Sequence, residues 1–300
     1  MRYSIVFTAV AATTVSGHGI IRSIAGANGV IMPGLGVADG TPRDCVVNSC
    51  GAQADTCIIR DNEINSGKYG PLGWTQGSGN VDPNAVIANF MGTGNPPPRN
   101  KGASDSVGVE DNLQGLLTPK ERRANEMSMM EKIFRGATSL PIVGTLGLGG
   151  TPKRYPVETI NADMRGQGAK SGLPTADDNG VVSVVYRQIN QDGAGPMTAA
   201  VDCESGGKDP KKFRDARVIL DVPGSYVSGL SISTDTDYPM QIQLPQDCVC
   251  KGEAGGAKNV CIVRIRNQAL AGPFGGAAAF TQSKASRKRA LEYSLKKRDE

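Results

Sequence analysis

The chain has 300 residues with 33 Lys and Arg, 29 Asp and Glu, seven Cys, and a single His, and its formal net charge is +4. One histidine excludes zinc sites built on two or three imidazoles, and the 39 Gly and 18 Pro favour a loop-rich β protein over a helical bundle. Residues 284–300 carry seven basic and three acidic side chains, so the rest of the chain is neutral overall and offers no electrostatic basis for binding nucleic acid.

The N-terminus has the pattern of a secretory signal peptide. Arg2 is followed by an apolar run at 5–12 and by small residues up to Gly17. The run is shorter than the roughly 18 apolar residues of a membrane span, and no later segment approaches that length. We therefore predict a signal peptide at 1–17, a secreted protein with no transmembrane segment, and His18 as the first mature residue.

The seven cysteines fit the oxidising environment of the secretory pathway. An odd number allows up to three disulfides and leaves one thiol, and the spacing does not determine the pairing. The same irregular spacing argues against a zinc site. The disulfide candidates are Cys45, Cys50, Cys57, Cys203, Cys248, Cys250 and Cys261.

The first half of the mature chain predicts little regular structure. Short apolar pieces within 18–60 indicate a strand and loops, and Gly, Asn and Pro dominate 65–118. We expect a loop-rich insertion at 65–140 with one helix at about 119–135. That helix would begin with Thr118 as its N-cap, Pro119 in its first turn and Glu121 three residues after the cap.

The second half predicts strands. Five short, β-branched segments are separated by Gly, Pro and Asp turns, which is typical of an antiparallel β-sandwich. They cover 181–186, 216–222, 226–234, 240–244 and 260–266. We predict one β-sandwich domain over 18–282, with long loops and one inserted helix, followed by a solvated or partly helical basic tail at 283–300.

No complete catalytic set is visible in the sequence. The acid pair Asp177-Asp178 precedes Asn179-Gly180, so a hairpin turn explains it better than glycoside hydrolysis does. The chain also lacks the Gly-x-Ser-x-Gly motif of serine hydrolases. We therefore assign no catalytic or cofactor-binding residues.

His18 is a candidate copper ligand, because an N-terminal histidine offers its amine and a ring nitrogen together. The start His18-Gly19-Ile20-Ile21 resembles that of fungal lytic polysaccharide monooxygenases. That resemblance implies an immunoglobulin-like β-sandwich. The histidine brace of those enzymes needs a second imidazole, which this chain lacks. Two interpretations of His18 remain open. It forms half of a copper site, or it is an ordinary residue of the first strand.

The chain as a whole resembles the Egh16/Mas/Gas type of appressorium-specific virulence factors of fungi. The resemblance rests on the start at His18, on 53–60 (QADTCIIR), on 261–267 (CIVRIRN) and on 272–276 (GPFGG). It implies a protein associated with the appressorium that assists host penetration, and it brings no known catalytic residues. The basic tail is not part of the family pattern.

Three functions follow as hypotheses. The first is a secreted pathogenicity factor acting at the fungus–host interface, with either the host surface (cuticle) or fungal or plant wall polysaccharide as its partner. The second is a divergent copper-binding, monooxygenase-like protein with half a histidine brace. The third is a non-catalytic carbohydrate-binding protein, although Trp74 near Tyr69 in a loop gives no obvious aromatic platform. The oligomeric state stays open.

Overall fold

A computed structural model describes residues 18–45, 50–100, 151–152, 157–225, 231–269 and 272–299. The predicted signal peptide and the predicted helix at 119–135 lie outside the described residues.

Fourteen β-strands within these ranges form one hydrogen-bonded network. Almost all pairings are antiparallel; the parallel one joins residues 175–176 to 281–282. In chain order the strands are β1 (Gly19–Ala25), β2 (Ile31–Pro33), β3 (Cys57–Ile58), β4 (Trp74–Thr75), β5 (Gly79–Asn80), β6 (Thr151–Pro152), β7 (Thr175–Ala176), β8 (Val181–Gln188), β9 (Thr198–Asp202), β10 (Phe213–Leu220), β11 (Thr236–Gln243), β12 (Gly252–Ala254), β13 (Ala257–Arg266) and β14 (Phe274–Gln282).

The strands form two layers that share β10. One layer has the order β2-β1-β8-β11 and the other the order β9-β13-β14-β3-β4-β5. The first half of β10 pairs with β9 and the second half pairs with β11, so this strand passes from one layer to the other. The prediction of a mainly β, antiparallel, disulfide-bonded fold is confirmed. Its immunoglobulin-like arrangement stays a prediction.

Strand β14 (FGGAAAFTQ) explains how closely the two layers approach. Residues 274–280 are buried, and β14 lies against β1 as well as beside β13. A Cβ atom on Gly276 would lie 2.8 Å from the backbone nitrogen of Ile21 in β1, which belongs to the other layer. A Cβ atom on Gly275 would lie 1.9 Å from the carbonyl oxygen of Ile265 on the neighbouring strand β13. Only glycine fits where backbones approach this closely.

The described helices are short except for the last one. They are α1 (Asp61–Asn65), α2 (Pro83–Met91), α3 (Ile160–Asp163), α4 (Gly168–Ser171) and α5 (Lys284–Asp299), together with a 3₁₀ turn at Pro210–Lys212. In α5, Ser286 and Ala290 are buried against the body, and the Arg287 guanidinium donates to the carbonyl oxygen of Cys250 at 2.6 Å.

Two predictions about local structure were wrong. Residues 83–91 form helix α2 inside the region expected to be irregular, because the Asp82 side chain caps it and Gly92 ends it with φ 73°. The strand predicted at 226–234 is not seen at 231–234, where the Ser233 backbone donates to the Ser231 hydroxyl and the Ser231 backbone donates to the carbonyl oxygen of Gln191. Positions 226–230 lie outside the described residues.

Three disulfides join six of the seven cysteines. The pairs are Cys45–Cys50, Cys203–Cys248 and Cys250–Cys261. Cys57 is a buried free thiol, and burial is the main reason why its pKa rises to about 12. The predicted leftover thiol is therefore Cys57, which is protonated and inert at physiological pH.

None of the helices in the described ranges has the length and apolar character needed to cross a bilayer.

Candidate functional site

His18 lies at the junction of the two layers, one residue before β1. It is buried, and its carbonyl oxygen accepts a hydrogen bond from the backbone of Ile189 at 2.9 Å, which extends the β1–β8 pairing. The imidazole packs on Phe274, the first residue of β14, with 4.7 Å between ring centroids. One layer thus fixes the backbone of His18, and the other fixes its ring.

The side chain of Asn190 contacts both nitrogens that would chelate a metal. The backbone nitrogen of His18 donates to Asn190 Oδ1 at 2.5 Å, and His18 Nδ1 lies 3.2 Å from Asn190 Nδ2. Because an amide nitrogen can only donate, Nδ1 of His18 is the acceptor in this contact. Cleavage after Gly17 would convert the same backbone nitrogen into a free amine facing Asn190.

Two side-chain hydrogen bonds to backbone carbonyls hold the loop that carries Asn190. The Tyr186 hydroxyl donates to the carbonyl oxygen of Gly193 at 2.7 Å, and the Asn267 amide donates to the carbonyl oxygen of Asp192 at 2.9 Å. Gly19 leaves room for the tyrosine, since a Cβ atom there would lie 1.9 Å from the Tyr186 hydroxyl oxygen. Burial, with nearby carboxylates, raises the pKa of Tyr186, so the phenol stays neutral.

The donor set does not fit the complete histidine brace. His18 is the only imidazole of the chain, so a third nitrogen ligand is missing. The Tyr186 oxygen, which could otherwise serve as a ligand, donates to Gly193. What remains is a two-nitrogen half-site that faces the Asn190 carboxamide.

Three cysteine sulfurs elsewhere lie close enough together to suggest a metal site. Those of Cys203, Cys248 and Cys261 fall within 4.8 Å of one another. Each of the three is oxidised in a disulfide, so none offers a thiolate to a metal ion.

A network of buried charges lies around the loops next to β1. The Arg43 guanidinium forms a two-point ion pair with Asp55 and donates to Glu158 at 3.1 Å, and Arg22 also donates to Glu158. Burial alone would raise the pKa of Glu158, but the two arginines outweigh it and hold that pKa below its usual value. This network joins residues 22, 43, 55 and 158, which come from separate parts of the chain.

Arg187 on β8, the strand paired with β1, extends the network. Its buried guanidinium pairs with Asp235 and with Asp237, and it donates to the carbonyl oxygen of Arg43 at 2.6 Å. The charged side chains of this cluster form ion pairs with one another, and these pairs hold the loops around the His18 end of the fold. They are therefore structural, and no local sequence pattern reveals them because the partners are far apart along the chain.

A second feature is an aromatic pair, and here the expectation that Trp74 lies in a loop was wrong, because Trp74 begins strand β4. Tyr69 stacks on Trp74 with ring centroids 5.1 Å apart and an interplanar angle of 23°. Trp74 in turn packs on a small cluster formed by Ile58, Ala269 and Phe274. Because the His18 ring packs on Phe274, Trp74 and His18 both contact this cluster.

The chain is similar to known fungal proteins along most of its length. A family model described as "Egh16-like virulence factor" matches residues 16–275. The appressoria-specific virulence factor GAS2 of Pyricularia oryzae is 44% identical over 300 residues, covering 99% of this chain and 95% of that protein. The appressoria-specific virulence factor GAS1 of the same fungus is 31% identical over 202 residues, covering 65% and 77%. No solved structure matches significantly.

Proposed function

Because this chain belongs to the Egh16-like virulence factor family, we propose that it is a secreted pathogenicity factor that assists host penetration from the appressorium. The observation that carries the proposal is the 44% identity to an appressoria-specific virulence factor over almost the whole chain. The signal-peptide pattern at 1–17 and the three disulfides support passage through the secretory pathway.

The protein acts in this proposal by binding and not by catalysis. The support is the chemistry around His18, whose two chelating nitrogens contact one neutral carboxamide, beside a phenol that donates to a backbone carbonyl. Its partner is a polysaccharide of the fungal or plant wall, which the chain would meet at the penetration site.

Gene deletion tests this role. A strain without the gene is expected to form normal appressoria but to penetrate intact host surfaces less often, and the wild-type gene should restore penetration. Inoculation through wounds is the control, because a protein needed only for penetration should then be dispensable. Full penetration of intact surfaces by the deletion strain would show that the protein has no such role.

A copper half-site is the second candidate function. The observation in its favour is that the backbone nitrogen and Nδ1 of His18 converge on one side chain, that of Asn190. Both nitrogens therefore face one point, as a bidentate ligand requires, and a bound ion would have to displace the amide.

Calorimetry with Cu²⁺ on the processed protein tests this second function. A half-site predicts that acetylation of the His18 amine weakens copper binding strongly, because an amide nitrogen no longer offers the lone pair of the primary amine. It also predicts that Asn190→Ala strengthens binding, because the competing amide is gone. Equal affinity of all three proteins would exclude the half-site.

A further inference from the structure

The net positive charge of the chain is concentrated in its last helix. Residues 284–300 carry seven basic and three acidic side chains, a surplus equal to the net charge of +4 of the whole protein. Helix α5 contains almost all of this segment, and its first turns are attached to the body. Ser286 and Ala290 are buried there, and the Ser283 hydroxyl donates to Asp178 at 2.7 Å. The fold therefore fixes the position of this basic helix.

A groove of about 560 Å³ lies between α5 and the body. Its walls are the turn at 179–180, strands β10 and β11 with the loop that follows β11, and one face of α5. Three basic side chains line it from two sides, namely Arg217 of β10 and Arg289 and Lys296 of α5. All three are exposed to solvent. We call this feature the basic groove.

The cations of the basic groove are not neutralised by carboxylates. Within the described part of the chain, none of the three takes part in an ion pair. Glu292 also lines the groove, but its carboxylate lies 3.9 Å from Lys288. Asp247, next to the lining residue Gln246, pairs with Arg214 at 2.8 Å. Exposed cations that converge on a concave surface without partners attract an anion.

An exposed aromatic ring lies between the two cations that α5 contributes. Tyr293 lines the groove and is 42% exposed, and no aromatic ring or cation of the described ranges packs on it. Residues 289, 293 and 296 share one helix face, because they are four and three positions apart. Arg289 and Lys296 are therefore separated by about 10 Å along the helix axis, with the ring between them.

We propose that the basic groove is a binding site for polygalacturonate, the acidic polysaccharide of plant walls. Each sugar unit of this polymer carries a carboxylate, so a chain laid along α5 offers anions to Arg289 and Lys296 and an apolar pyranose face to Tyr293. Arg217 is placed to pair with a further carboxylate from the opposite wall of the groove. A concave groove accepts a polymer strand, whereas a flat lipid surface would not reach its walls. This inference rests on the proposed action at the wall and names the polymer and the site.

Isothermal titration of the full processed chain with decagalacturonate measures the binding. A chelator is present, so that no metal ion bridges the protein and the sugar. A saturable titration is expected, and the affinity should fall as salt is added, because exposed ion pairs are screened. The fully methyl-esterified oligomer is the matched ligand and should not bind, since it has the same backbone without the charges.

A triple variant locates the site. Arg217→Gln/Arg289→Gln/Lys296→Gln removes the three cations of the basic groove. It should weaken binding roughly thirtyfold, because each exposed ion pair contributes about a factor of three. All three positions are exposed and glutamine is a good helix former, so the variant should keep the circular dichroism spectrum of the wild type.

A second triple variant is the matched control for net charge. Lys170→Gln/Lys211→Gln/Lys258→Gln also removes three exposed cations, and none of these lysines lines the groove. It should bind decagalacturonate as tightly as the wild type does.

The tyrosine distinguishes a sugar chain from a simple polyanion. Tyr293→Ala should weaken binding of decagalacturonate about fivefold, and Tyr293→Phe should leave it almost unchanged, because phenylalanine preserves the ring on which the pyranose packs.

Four results would overturn the proposal. They are no binding of decagalacturonate, equal weakening by the two triple variants, a Tyr293→Ala variant that binds like the wild type, and tighter binding to phosphatidylcholine vesicles containing phosphatidylserine than to decagalacturonate. The last result would assign the basic helix to a lipid surface. All four concern the purified protein and leave the penetration phenotype of the deletion strain untouched, so failure of the binding site and failure of the proposed function can be told apart.

Discussion

Loss of the Cys203–Cys248 disulfide is expected to destabilise the fold more than loss of Cys250–Cys261. The first bond closes a segment with a sequence separation of 45 and the second one with a separation of 11. Loop-closure entropy then gives about 4 kcal/mol for the first and about 2.8 kcal/mol for the second. The predicted difference between them is therefore about 1.2 kcal/mol.

The two bonds form a matched pair for this comparison. All four cysteines are buried, so replacing either pair by alanine removes two buried sulfurs and creates similar cavities. The cavity contributions largely cancel in the difference, which leaves the loop length. Removing both cysteines of one bond also avoids thiol–disulfide exchange. A single remaining thiol could attack the neighbouring disulfide, because the sulfurs of Cys248 and Cys261 are only 3.8 Å apart.

Reversible urea unfolding of the wild type and of the two double variants measures these differences. The wild type is expected to have the highest free energy of unfolding. Cys250→Ala/Cys261→Ala should come next, and Cys203→Ala/Cys248→Ala should have the lowest. Equal stability of the two variants, or the reverse order, would refute the loop-length reasoning. Free-thiol counts in denaturant verify that the other disulfides remain intact.

Other measurements follow from single features of the structure. Cys57 should not react with a thiol reagent in the native protein and should give one equivalent in denaturant, because it is buried and its pKa is about 12; native reactivity would contradict its placement. The pKa of Glu158 is lower in the folded protein than its usual value of 4.5. The ionised carboxylate therefore stabilises the fold fully above pH 4.5, and this stabilisation is lost as the pH falls through the pKa of the folded state. Thermal midpoints from pH 6 to pH 3 should therefore fall more steeply for the wild type than for Glu158→Gln, and parallel curves would argue against the buried ion network. Gly276→Ala should cost about 1–3 kcal/mol in urea unfolding, because its Cβ atom would meet β1; a neutral result would disprove the close contact of the layers.

The sequence was most informative where side-chain propensity decides the structure. Strands β8 and β13 are rich in β-branched residues, and both were predicted. Strand β14 was not predicted, because its Gly and Ala residues are selected by close contact with β1 and not by strand propensity. Helix α2 could be predicted from its capping Asp82 and the Pro in its first turn, but the many glycines of that region favour a loop prediction.

The surroundings of the candidate site depend on long-range contacts that no local pattern reveals. Asn190 is 172 residues away from His18, and nothing in its neighbourhood marks it as the partner of the two nitrogens. Tyr69 and Trp74 are only five residues apart, yet their stacking depends on the packing of the indole against β3 and β14. Disulfide pairing is likewise a result of the fold, because Cys248 and Cys250 have partners in different directions along the chain.

The proposed role by binding is tested most directly by returning a His18→Phe gene to the deletion strain and counting penetrated host cells. Phenylalanine preserves the packing on Phe274 and the amine, but it removes the ring nitrogens that a copper half-site needs. Penetration should recover to the level given by the wild-type gene. A His18→Phe protein that accumulates normally but leaves penetration at the level of the deletion strain would contradict action by binding alone.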